Sequence, residues 1–503
     1  MDAFGYLLDG FGVAVQPVNL LYCTIGVLWG TVVGVLPGLG PLAGLALLLP
    51  LTFKLEAHTA IIMLAGIFYG AMYGGSTTSI LVKIPGEAAS VITCIDGHEM
   101  AKRGRAGPAL VISALGSWFG GTVSVIGLML FAPPLAELML AVGPPAMFGL
   151  MVLALIVMSF ISSGSTLKAF IMIVLGLLLG AVGLDTLTGF PRFTFGSLHF
   201  VDGVSFVAMA LGLFGVSEIL INLENIAAVK PLRPTLRSLV PTRRDLRDSA
   251  PAIGRGTVIG FLFGIVPGIS HVVSTFVSYA VERKLSREPE AFGTGKIEGV
   301  AGPETANNAT TGSAMIPLLV LGIPSIPATA ILLSALIIHG IDPGPQMIEE
   351  RPEIFWGLIA SMYIGNVILL ILNVPLVGMF VSLLRIPYAW LAPVVVLASI
   401  VGVYSVNASA VEIWLMIVFG LIGYVLRKLR FDVAPLLLAV VLGDRMELAF
   451  RRSLTISDGD YSIFLKGTVS QVLLAAVVLL AALQALAWYL GFRRKSMENG
   501  DVS

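Results

Sequence analysis

The pentapeptide Gly34-Val-Leu-Pro-Gly38 occurs a second time as Gly264-Ile-Val-Pro-Gly268, 230 residues further along the chain. The same separation pairs Lys54-Leu55 with Lys284-Leu285. Proline lacks a backbone donor and clashes with the preceding helical turn, so neither copy is able to continue a regular helix. The sequence therefore predicts two related halves, each interrupted at a proline-glycine break.

Two further matches follow in the same order along the chain. The segment from Gly75 to Gly86 resembles the segment from Asn308 to Ser325, with a six-residue insertion predicted in the second copy. Met147-Phe148 and Ile354-Phe355 then open similar apolar segments. One match arises easily by chance, whereas three matches in the same order indicate an internal duplication.

The sequence around these breaks has the composition of a membrane protein. Of the 503 residues, 57% are hydrophobic and 12% are charged, whereas soluble domains carry about 25% charged residues. A helix needs about 20 residues to cross a bilayer, and several charge-free stretches exceed this length. They are Ala106 to Ala136, Leu138 to Leu167, Thr305 to Ile341, Ile354 to Leu384, Ile386 to Val411 and Gly467 to Phe492.

Several classes of protein are excluded by what the sequence lacks. Thirty basic and thirty acidic residues cancel, and no basic tract is interleaved with aromatic residues, so nucleic acid is not an expected partner. The five histidines show no metal-binding pattern, and Gly293-Thr-Gly-Lys296 lacks the spacing of a phosphate-binding loop. No enzymatic activity and no ATPase motor are therefore expected, and transport would be secondary.

The distribution of charge predicts the topology. Asn222 to Arg255 is the most polar stretch, with seven basic residues against three acidic ones, and the positive-inside rule places it in the cytoplasm. Residues 1–53 contain no basic residue, so the first half is expected to begin outside. The loops Asp96 to Gly107 and Ile341 to Glu353 also carry opposite net charge. These signs predict an inverted repeat, and a parallel duplication is the alternative.

The predicted fold is an all-α, polytopic integral membrane protein with two related, inverted repeats, broken helices and helical hairpins. Its parts are a first membrane repeat (1–221), a basic cytoplasmic connector (222–252), a second membrane repeat (253–466) and a C-terminal transmembrane helix with a cytoplasmic tail (467–503). The smoother segments, Ile354 to Leu384 and Gly467 to Phe492, are the predicted scaffold against which one helix bundle moves.

Two polar clusters inside apolar sequence are the predicted sites. They are Tyr73 to Ser79 and Glu304 to Ser313. Inverted-repeat transporters bind substrate and coupling ion near the membrane midplane, where broken helices expose N-termini and unwound carbonyls. Hydroxyl, amide and carbonyl oxygens are hard ligands suited to Na⁺, and helix N-termini favour anions. The alternative is that these small and hydroxylated residues only mediate close helix packing.

Two ionisable residues stand out beside these clusters. A buried cation costs roughly 2.5 to 3.5 kcal/mol at a helix centre, so Lys83 is predicted to meet a substrate carboxylate or, alternatively, to snorkel or to pair with Glu87 or Glu304. Glu304 is predicted to be a cation ligand or a proton site, with an ordinary interfacial carboxylate as the alternative.

The predicted site residues form two overlapping sets. Those predicted to bind substrate are Pro37, Gly38, Gly74, Gly75, Ser76, Thr77, Thr78, Ser79, Lys83, Pro267, Gly268, Asn307, Asn308, Thr310, Thr311, Gly322 and Pro324. Those predicted to hold a coupling ion are Ser76, Thr77, Glu304, Asn307, Asn308 and Thr310. No metal beyond Na⁺ and no cofactor are expected.

Motifs that point to a known family are spread over nearly the whole chain. They are Val35 to Pro41, Tyr73 to Gly86, Asp96 to Met100, Gly302 to Asn308, Phe431 to Leu438 and Asp458 to Asp460. Together they resemble the large membrane subunit of the tripartite tricarboxylate transporters, the TctA family. One departure is Ser325-Ile326, where the family more often places Gly-Ser, and this change is expected to alter the backbone approach at the second cluster and hence the choice of substrate.

The resemblance implies a three-part system in a bacterial inner membrane. A periplasmic solute-binding protein would capture the carboxylate, a small membrane subunit of about four helices would accompany this chain, and Na⁺ or H⁺ would supply the energy. Citrate is the leading expectation for the substrate, with a dicarboxylate or an aromatic carboxylate as alternatives. A small-anion channel is the alternative from another class, although the sequence lacks the repeated ring of charge that a selectivity filter often uses.

Overall fold

The computed structural model describes residues 3–36, 39–140, 142–161, 165–185, 187–224, 239–266, 271–383 and 388–498. Both proline-glycine breaks, Pro37-Gly38 and Pro267-Gly268, lie outside the described residues. Residues 225–238 of the predicted connector also lie outside them. The described chain is almost entirely helical, and one antiparallel pair of two-residue strands joins Gly183–Leu184 to Pro191–Arg192. The predicted all-α fold is therefore confirmed.

The helices are numbered in chain order. They are α1 (Ala3–Ala14), α2 (Pro17–Val35), α3 (Gly40–Leu48), α4 (Ala57–Val82), α5 (Thr93–Met100), α6 (Ala106–Leu140), α7 (Pro144–Ile161), α8 (Thr166–Gly180), α9 (Phe206–Ala210), α10 (Ser217–Glu224), α11 (Arg243–Ile265), α12 (His271–Leu285), α13 (Glu298–Ser313), α14 (Pro327–Ile338), α15 (Met347–Glu350), α16 (Pro352–Asn373), α17 (Val377–Leu383), α18 (Tyr388–Asn407), α19 (Ala410–Lys428), α20 (Ala434–Ile456) and α21 (Thr468–Glu498). Short 3₁₀ helices cover Leu49–Lys54, Ala88–Val91, Leu198–Phe200, Pro289–Ala291 and Tyr461–Leu465, and π-helical turns cover Ala101–Arg105, Leu211–Val216 and Pro317–Leu321.

Five helical stretches in the described part of the chain are long and apolar enough to cross a membrane. They are Pro17–Val35, Ala57–Val82, Thr93–Leu140, Pro352–Asn373 and Ala410–Lys428. Shorter apolar helices accompany them, including α7, α8 and α14. The chain is therefore a multi-pass membrane protein.

The chain forms two compact units, and each unit takes one segment from each half of the sequence. The first unit comprises Met1–Met139 and Ser205–Leu429, and the second comprises Leu140–Val204 and Arg430–Ser503. Met147-Phe148 and Ile354-Phe355, which matched in sequence, open helices of different units. All of the described site residues predicted from the sequence belong to the first unit.

Within the second unit, Asp185 organises the loop that follows α8. Its carboxylate accepts hydrogen bonds from the backbone N–H groups of Thr188 and Leu187, at 2.8 and 3.0 Å, and pairs with Arg451 at 2.8 Å. These contacts, the Thr188 N–H foremost, lower the pKa of Asp185 below its usual range. The loop is therefore held by an ionised carboxylate at any ordinary pH.

The predicted smooth helix from Ile354 to Leu384 is wrong as a single element. α16 ends at Asn373 and α17 begins at Val377. Pro375 lies in the gap, and a proline there removes a backbone donor and clashes with the preceding turn. α16 also packs against α4, which carries a predicted site. The other predicted scaffold segment, Gly467 to Phe492, lies within the single helix α21.

The first unit contains the same glycine stripe twice. Gly26, Gly30 and Gly34 on α2 recur 230 residues later as Gly256, Gly260 and Gly264 on α11. A Cβ atom at Gly30 would lie 2.9 Å from the Cα atom of Ile67 on α4, and a Cβ at Gly260 would lie 2.8 Å from the Cα of Ala306 on α13. Each pair of helices therefore packs backbone against backbone, which only small residues allow.

The partner helices α4 and α13 match at a separation of 239 residues. Gly34 faces Ala71, and Gly264 faces Thr310. The residue that follows α4, Lys83, has φ 60° and ψ 26°. The residue that follows the π-helical turn after α13, Gly322, has φ 63° and ψ 25°. Both caps lie in the left-handed region that usually ends a helix.

The match continues into the turn that follows each cap. An Ile-Pro pair leads in both copies to an extended residue, Glu87 with φ −146° and ψ 167°, and Ile326 with φ −145° and ψ 160°. The separation is again 239 residues, so the insertion predicted between the polar clusters and the Ile-Pro pairs is wrong. At this separation, Ser76 to Ser79 corresponds to Met315 to Leu318. The separation is 230 residues at α2 and α11 but 239 at α4 and α13, so the extra residues of the second copy lie before α13.

Candidate functional site

The two polar clusters lie inside helices rather than in unwound segments. Tyr73 to Ser79 falls within α4 and Glu304 to Ser313 within α13, and both clusters are buried. Gly74 packs against the Thr31 carbonyl of α2, and a Cβ at Gly75 would lie 3.0 Å from the Glu87 Oε1. The predicted unwound carbonyl ligands are therefore wrong at these positions, because the glycines serve close packing and the helical carbonyls stay in the helix. Any ligand groups within these two clusters therefore have to be side chains.

Three helices of the first unit meet at the carboxyl group of Glu304. Glu304 lies on α13 and its side chain is 1% exposed. One carboxylate oxygen accepts a hydrogen bond from the Ser76 hydroxyl on α4, and the other accepts one from the Thr93 hydroxyl on α5. Glu304 is therefore a buried carboxyl group with a hydroxyl partner at each oxygen, and not an interfacial one.

A second buried carboxyl group, Glu87, lies beside the first. Its Oε2 accepts hydrogen bonds from the backbone N–H groups of Ala89 and Ser90, the latter at 3.2 Å, and its Oε1 accepts one from the Asn307 Nδ2 at 3.3 Å. Asn307 connects Glu87 to Glu304, because it lies three residues after Glu304 on α13, on the same helix face. Sequence reasoning considered Glu87 only as a partner of Lys83. The available signal was a carboxylate directly after Ile-Pro-Gly in an apolar stretch.

These two carboxyl groups have no basic neighbour in the described part of the chain, unlike two other buried carboxylates of the first unit. Asp245 pairs with Arg105, and Glu282 pairs with Arg255, whose Nε lies 2.8 Å from the carboxylate. Among the described residues, neither Glu87 nor Glu304 forms an ion pair. Lys83 is exposed at the end of α4, so the structure does not bring it to either carboxyl group. Any negative charge on these two groups is therefore not balanced by a neighbouring base within the described residues.

A small cavity borders the Ser76 hydroxyl. Its polar lining comes from Tyr73, Ser76, Thr77, Ser113 and Asn373, and Leu110 and Ala114 complete the wall. The cavity volume is about 10 Å³, which has room for about one water molecule. A molecule of the size of a tricarboxylate does not fit in this volume.

Two threonines of the second cluster, Thr310 and Thr311, bond to neighbouring side chains of α12. The Thr310 hydroxyl donates to the Ala306 carbonyl at 2.7 Å and contacts the Ser274 Oγ at 2.8 Å, which ties α13 to α12. The Thr311 hydroxyl contacts the His271 Nε2 at 3.1 Å. In the sequence, His271 stood out only as a histidine outside any metal motif. Its position three residues after Gly268 of the second proline-glycine break was the available signal.

Most of the remaining predicted residues have hydrogen-bond partners within the protein or lie in a buried turn. The Asn308 Nδ2 donates to the Ser117 Oγ at 2.7 Å and to the Glu304 carbonyl at 3.2 Å. Thr78 donates to the Val35 carbonyl at the end of α2, and Ser79 donates to the Gly75 carbonyl within α4. Gly322 and Pro324 are buried in the turn before α14. Pro37, Gly38, Pro267 and Gly268 lie outside the described residues.

Asp96 joins α5 to the loop that precedes α13. Its fully buried carboxylate accepts hydrogen bonds from the backbone N–H groups of Gly293, Gly295 and Lys296, at 2.8 to 2.9 Å, and from the Tyr279 hydroxyl at 2.8 Å. This loop, which lacks the spacing of a phosphate-binding motif, therefore binds an anion that the protein itself supplies. The contact fixes α13, and with it Glu304 and Asn307, against the first half of the chain.

Comparisons with known proteins agree with the resemblance seen in the motifs. The model of the family described as "Tripartite tricarboxylate transporter TctA family" matches residues 20–438. An "Uncharacterized 52.8 kDa protein in TAR-I ttuC' 3'region" of Agrobacterium vitis is 47% identical over 97% of this chain and 97% of its own length. An "Uncharacterized protein in TAR-II ttuC' 3'region" of the same organism is 46% identical over 45% of this chain and 95% of its own length. No solved structure matches the chain.

Proposed function

The chain belongs to the tripartite tricarboxylate transporter TctA family, and on that premise we propose that it is the large permease subunit of a binding-protein-dependent secondary transporter. It imports a citrate-like tricarboxylate across a bacterial inner membrane by cation symport. Its partners are a periplasmic solute-binding protein, which delivers the carboxylate, and a small membrane subunit. This assembly would need no cofactor besides the coupling ion, Na⁺ or H⁺.

The observation that carries the proposal is the pair of buried carboxyl groups, Glu87 and Glu304, together with a cavity lined with hydroxyl groups, one of which, on Ser76, donates to Glu304. Like charges in a medium of low dielectric constant repel strongly. An anionic substrate that approaches this pair is therefore repelled unless positive charge enters the site as well. Because neither carboxyl group has a basic neighbour among the described residues, the positive charge has to come from solution. Substrate binding and cation binding are coupled for this reason.

The substrate class follows from the donors that surround the cavity. Ser76, Thr77 and Ser113 offer hydroxyl groups, and Asn373 offers an amide. Such neutral donors stabilise carboxylate oxygens through hydrogen bonds, which are stronger when the acceptor is charged. The family description supports a tricarboxylate, and citrate is the first compound to test. A dicarboxylate or an aromatic carboxylate would use the same donors.

A mechanism of alternating access fits the two duplicated pairs of helices. Each glycine-packed pair, α2 with α4 and α11 with α13, is held by backbone contacts that leave little freedom within the pair. The opposite net charge of the matching loops supports an inverted relation between the halves. We infer that each pair moves as a body, and that separation of α4, α6 and α13 opens the closed site to one side of the membrane at a time.

Uptake into proteoliposomes tests the proposal. The chain would be reconstituted with the small membrane subunit, supplied with the binding protein and labelled citrate, and compared with and without an inward gradient of Na⁺ or H⁺. Accumulation that depends on the gradient and on the binding protein is expected. Citrate flux that neither saturates nor responds to a cation gradient would favour the channel instead, and no gradient-dependent accumulation of any carboxylate would refute symport.

A further inference from the structure

One polar atom in the site is buried without a partner. The Asn307 side chain is 1% exposed, and its Oδ1 has no hydrogen-bond partner among the described residues. The nitrogen of the same amide donates to Glu87, so the unpartnered oxygen lies next to that carboxyl group. An acceptor buried without a donor costs about 1 to 3 kcal/mol, and native proteins seldom tolerate it unless something binds there.

The hydrogen bonds around Glu87 favour its ionised form. Its three partners, the Ala89 and Ser90 backbone and the Asn307 amide nitrogen, are all N–H groups. An N–H group donates to a carboxylate but accepts nothing from a protonated carboxyl group. Glu304 has a hydroxyl partner at each oxygen, and a hydroxyl either donates to a carboxylate or accepts from a protonated carboxyl group. It is therefore the contacts of Glu87 that suit a carboxylate with a bound cation better than a carboxyl group that holds a proton.

We propose that Glu87, Glu304 and Asn307 form the binding site of the coupling ion and that this ion is Na⁺. The inference rests on the proposed function and names the ion and its ligands. Carboxylate and amide oxygens are hard ligands, which suit alkali and alkaline-earth cations rather than transition metals. The described residues contain no group of three or more histidine, cysteine, aspartate or glutamate side chains able to hold a metal ion, so a monovalent ion fits better than a divalent one.

The position of the ligands ties the ion to both halves of the chain. Glu304 and Asn307 lie three residues apart on α13, which makes them neighbours on one helix face. Glu87 follows α4 in the first half, and the matching position in the second half is Ile326. The duplicated frame therefore provides one such site rather than two. Na⁺ neutralises part of the carboxylate charge and lowers the repulsion that a substrate anion meets at the neighbouring cavity.

Binding of Na⁺ to the purified full-length chain tests the assignment without any carboxylate present. Thermal stability would be measured while Na⁺ replaces choline at constant ionic strength, and the Na⁺ concentration at half-maximal stabilisation would be compared between variants. Asn307→Ala removes the neutral ligand and keeps both carboxylates, and Glu87→Gln removes one charge. Each is expected to raise that concentration about tenfold or more, which corresponds to about 1.4 kcal/mol of lost binding free energy.

Asp245→Asn is the matched control, because it also removes a buried carboxylate from the first unit but outside the proposed ion site. It is expected to lower thermal stability and to leave the Na⁺ concentration for half-maximal stabilisation unchanged. If Glu87→Gln fails to fold, Asn307→Ala and the milder Ser76→Ala decide the question. The assignment is overturned if the folded variants match the wild type, or if the wild type responds to pH and not to Na⁺.

This test separates the two proposals. Normal Na⁺ binding together with absent carboxylate uptake would refute the proposed function and leave the ion site standing. Na⁺-driven uptake together with unchanged Na⁺ binding in the variants would refute the ion site and leave the function standing.

Discussion

The α2–α4 pair of the first half and the α11–α13 pair of the second half share one backbone frame but differ in chemistry. Both have a glycine stripe at the crossing, a left-handed cap and an extended residue after Ile-Pro. The first pair is followed by Gly86 and Glu87, and the second by Ser325 and Ile326. The duplicated residues therefore set the packing, whereas the residues that differ between the two halves carry the candidate chemistry.

The largest effect is expected at the shared glycine stripe. Gly30→Val and Gly260→Val each place a side chain against the backbone of the partner helix, with the Cβ at 2.9 Å from the Ile67 Cα and 2.8 Å from the Ala306 Cα. Both are expected to destabilise the protein by about 3 kcal/mol or to prevent folding, since overpacking against backbone finds little relief. Gel filtration and thermal melting in detergent measure the loss.

Gly254→Ala is the control for the stripe, because nothing lies within 4 Å of a Cβ there. It should melt at or slightly above the wild-type temperature, as alanine is the better helix former. If only one of the two valine variants is damaging, the two crossings are not equivalent and the shared frame is refuted.

The second-largest effect is expected in the turn after each Ile-Pro pair, where the two halves share a backbone conformation but differ in the residue. A Cβ at Gly86 would lie 2.5 Å from the Gly75 Cα and would collide with the Gly34 carbonyl, so Gly86→Ser is expected to cost about 2 to 3 kcal/mol. Ser325→Gly gives the second copy the residue that the first copy has at Gly86 and removes a buried hydroxyl that has no partner among the described residues. It is expected to change stability by less than about 1 kcal/mol. Chemical denaturation of both variants checks this, and similar losses would contradict it.

A smaller effect is expected at the left-handed caps. Gly322→Ala forces a Cβ into a conformation with φ 63°, at a cost of about 1 to 2 kcal/mol. Lys83→Gly relieves the same strain at φ 60° and is expected to stabilise by up to about 1 kcal/mol. Melting temperatures in matched detergent give both values. A loss of stability in Lys83→Gly would mean that the Lys83 side chain has contacts worth more than the strain.

The smallest effect is expected at the hydroxyl groups that cap the segments after Ile-Pro. The Ser90 Oγ accepts from the Glu87 N–H at 3.4 Å, and the Thr329 Oγ1 accepts from the Ile326 N–H at 3.1 Å. Ser90→Ala and Thr329→Val are each expected to cost about 1 kcal/mol, the usual worth of such a cap. Denaturation midpoints measure the pair. A clearly larger loss for Ser90→Ala would show that the cap also orders Glu87.

The sequence was informative where the physics is local. Proline predicted the end of both α2 and α11, which end at Val35 and Ile265 with nearly identical extended caps, at φ −80° and ψ 112° and at φ −82° and ψ 115°. The register of the second copy was mistaken because the Thr-Thr pairs of the two clusters look alike, whereas the packing of Gly34 and Gly264 fixes a different alignment.

The candidate site was predictable only in part. Ser76, Glu304 and Asn307 stood out as polar residues in apolar sequence. Glu87 and Thr93 were not recognised, because their roles depend on contacts with residues 220 and 211 positions away. No local pattern encodes such distances. The packing of α4, α5 and α13 creates the carboxyl pair, and only the folded chain brings its members together.

The hydrogen bonds of Asp96 have a consequence for biosynthesis. Its amide partners lie 197 to 200 residues later in the chain, so the ribosome completes α5 long before any of them is made. Until then the carboxylate has to stay hydrated, since an unpaired charge is costly to bury. The first half is therefore expected to pause in the translocon with α5 still at the water interface, and to complete its own packing only after the second half has been inserted.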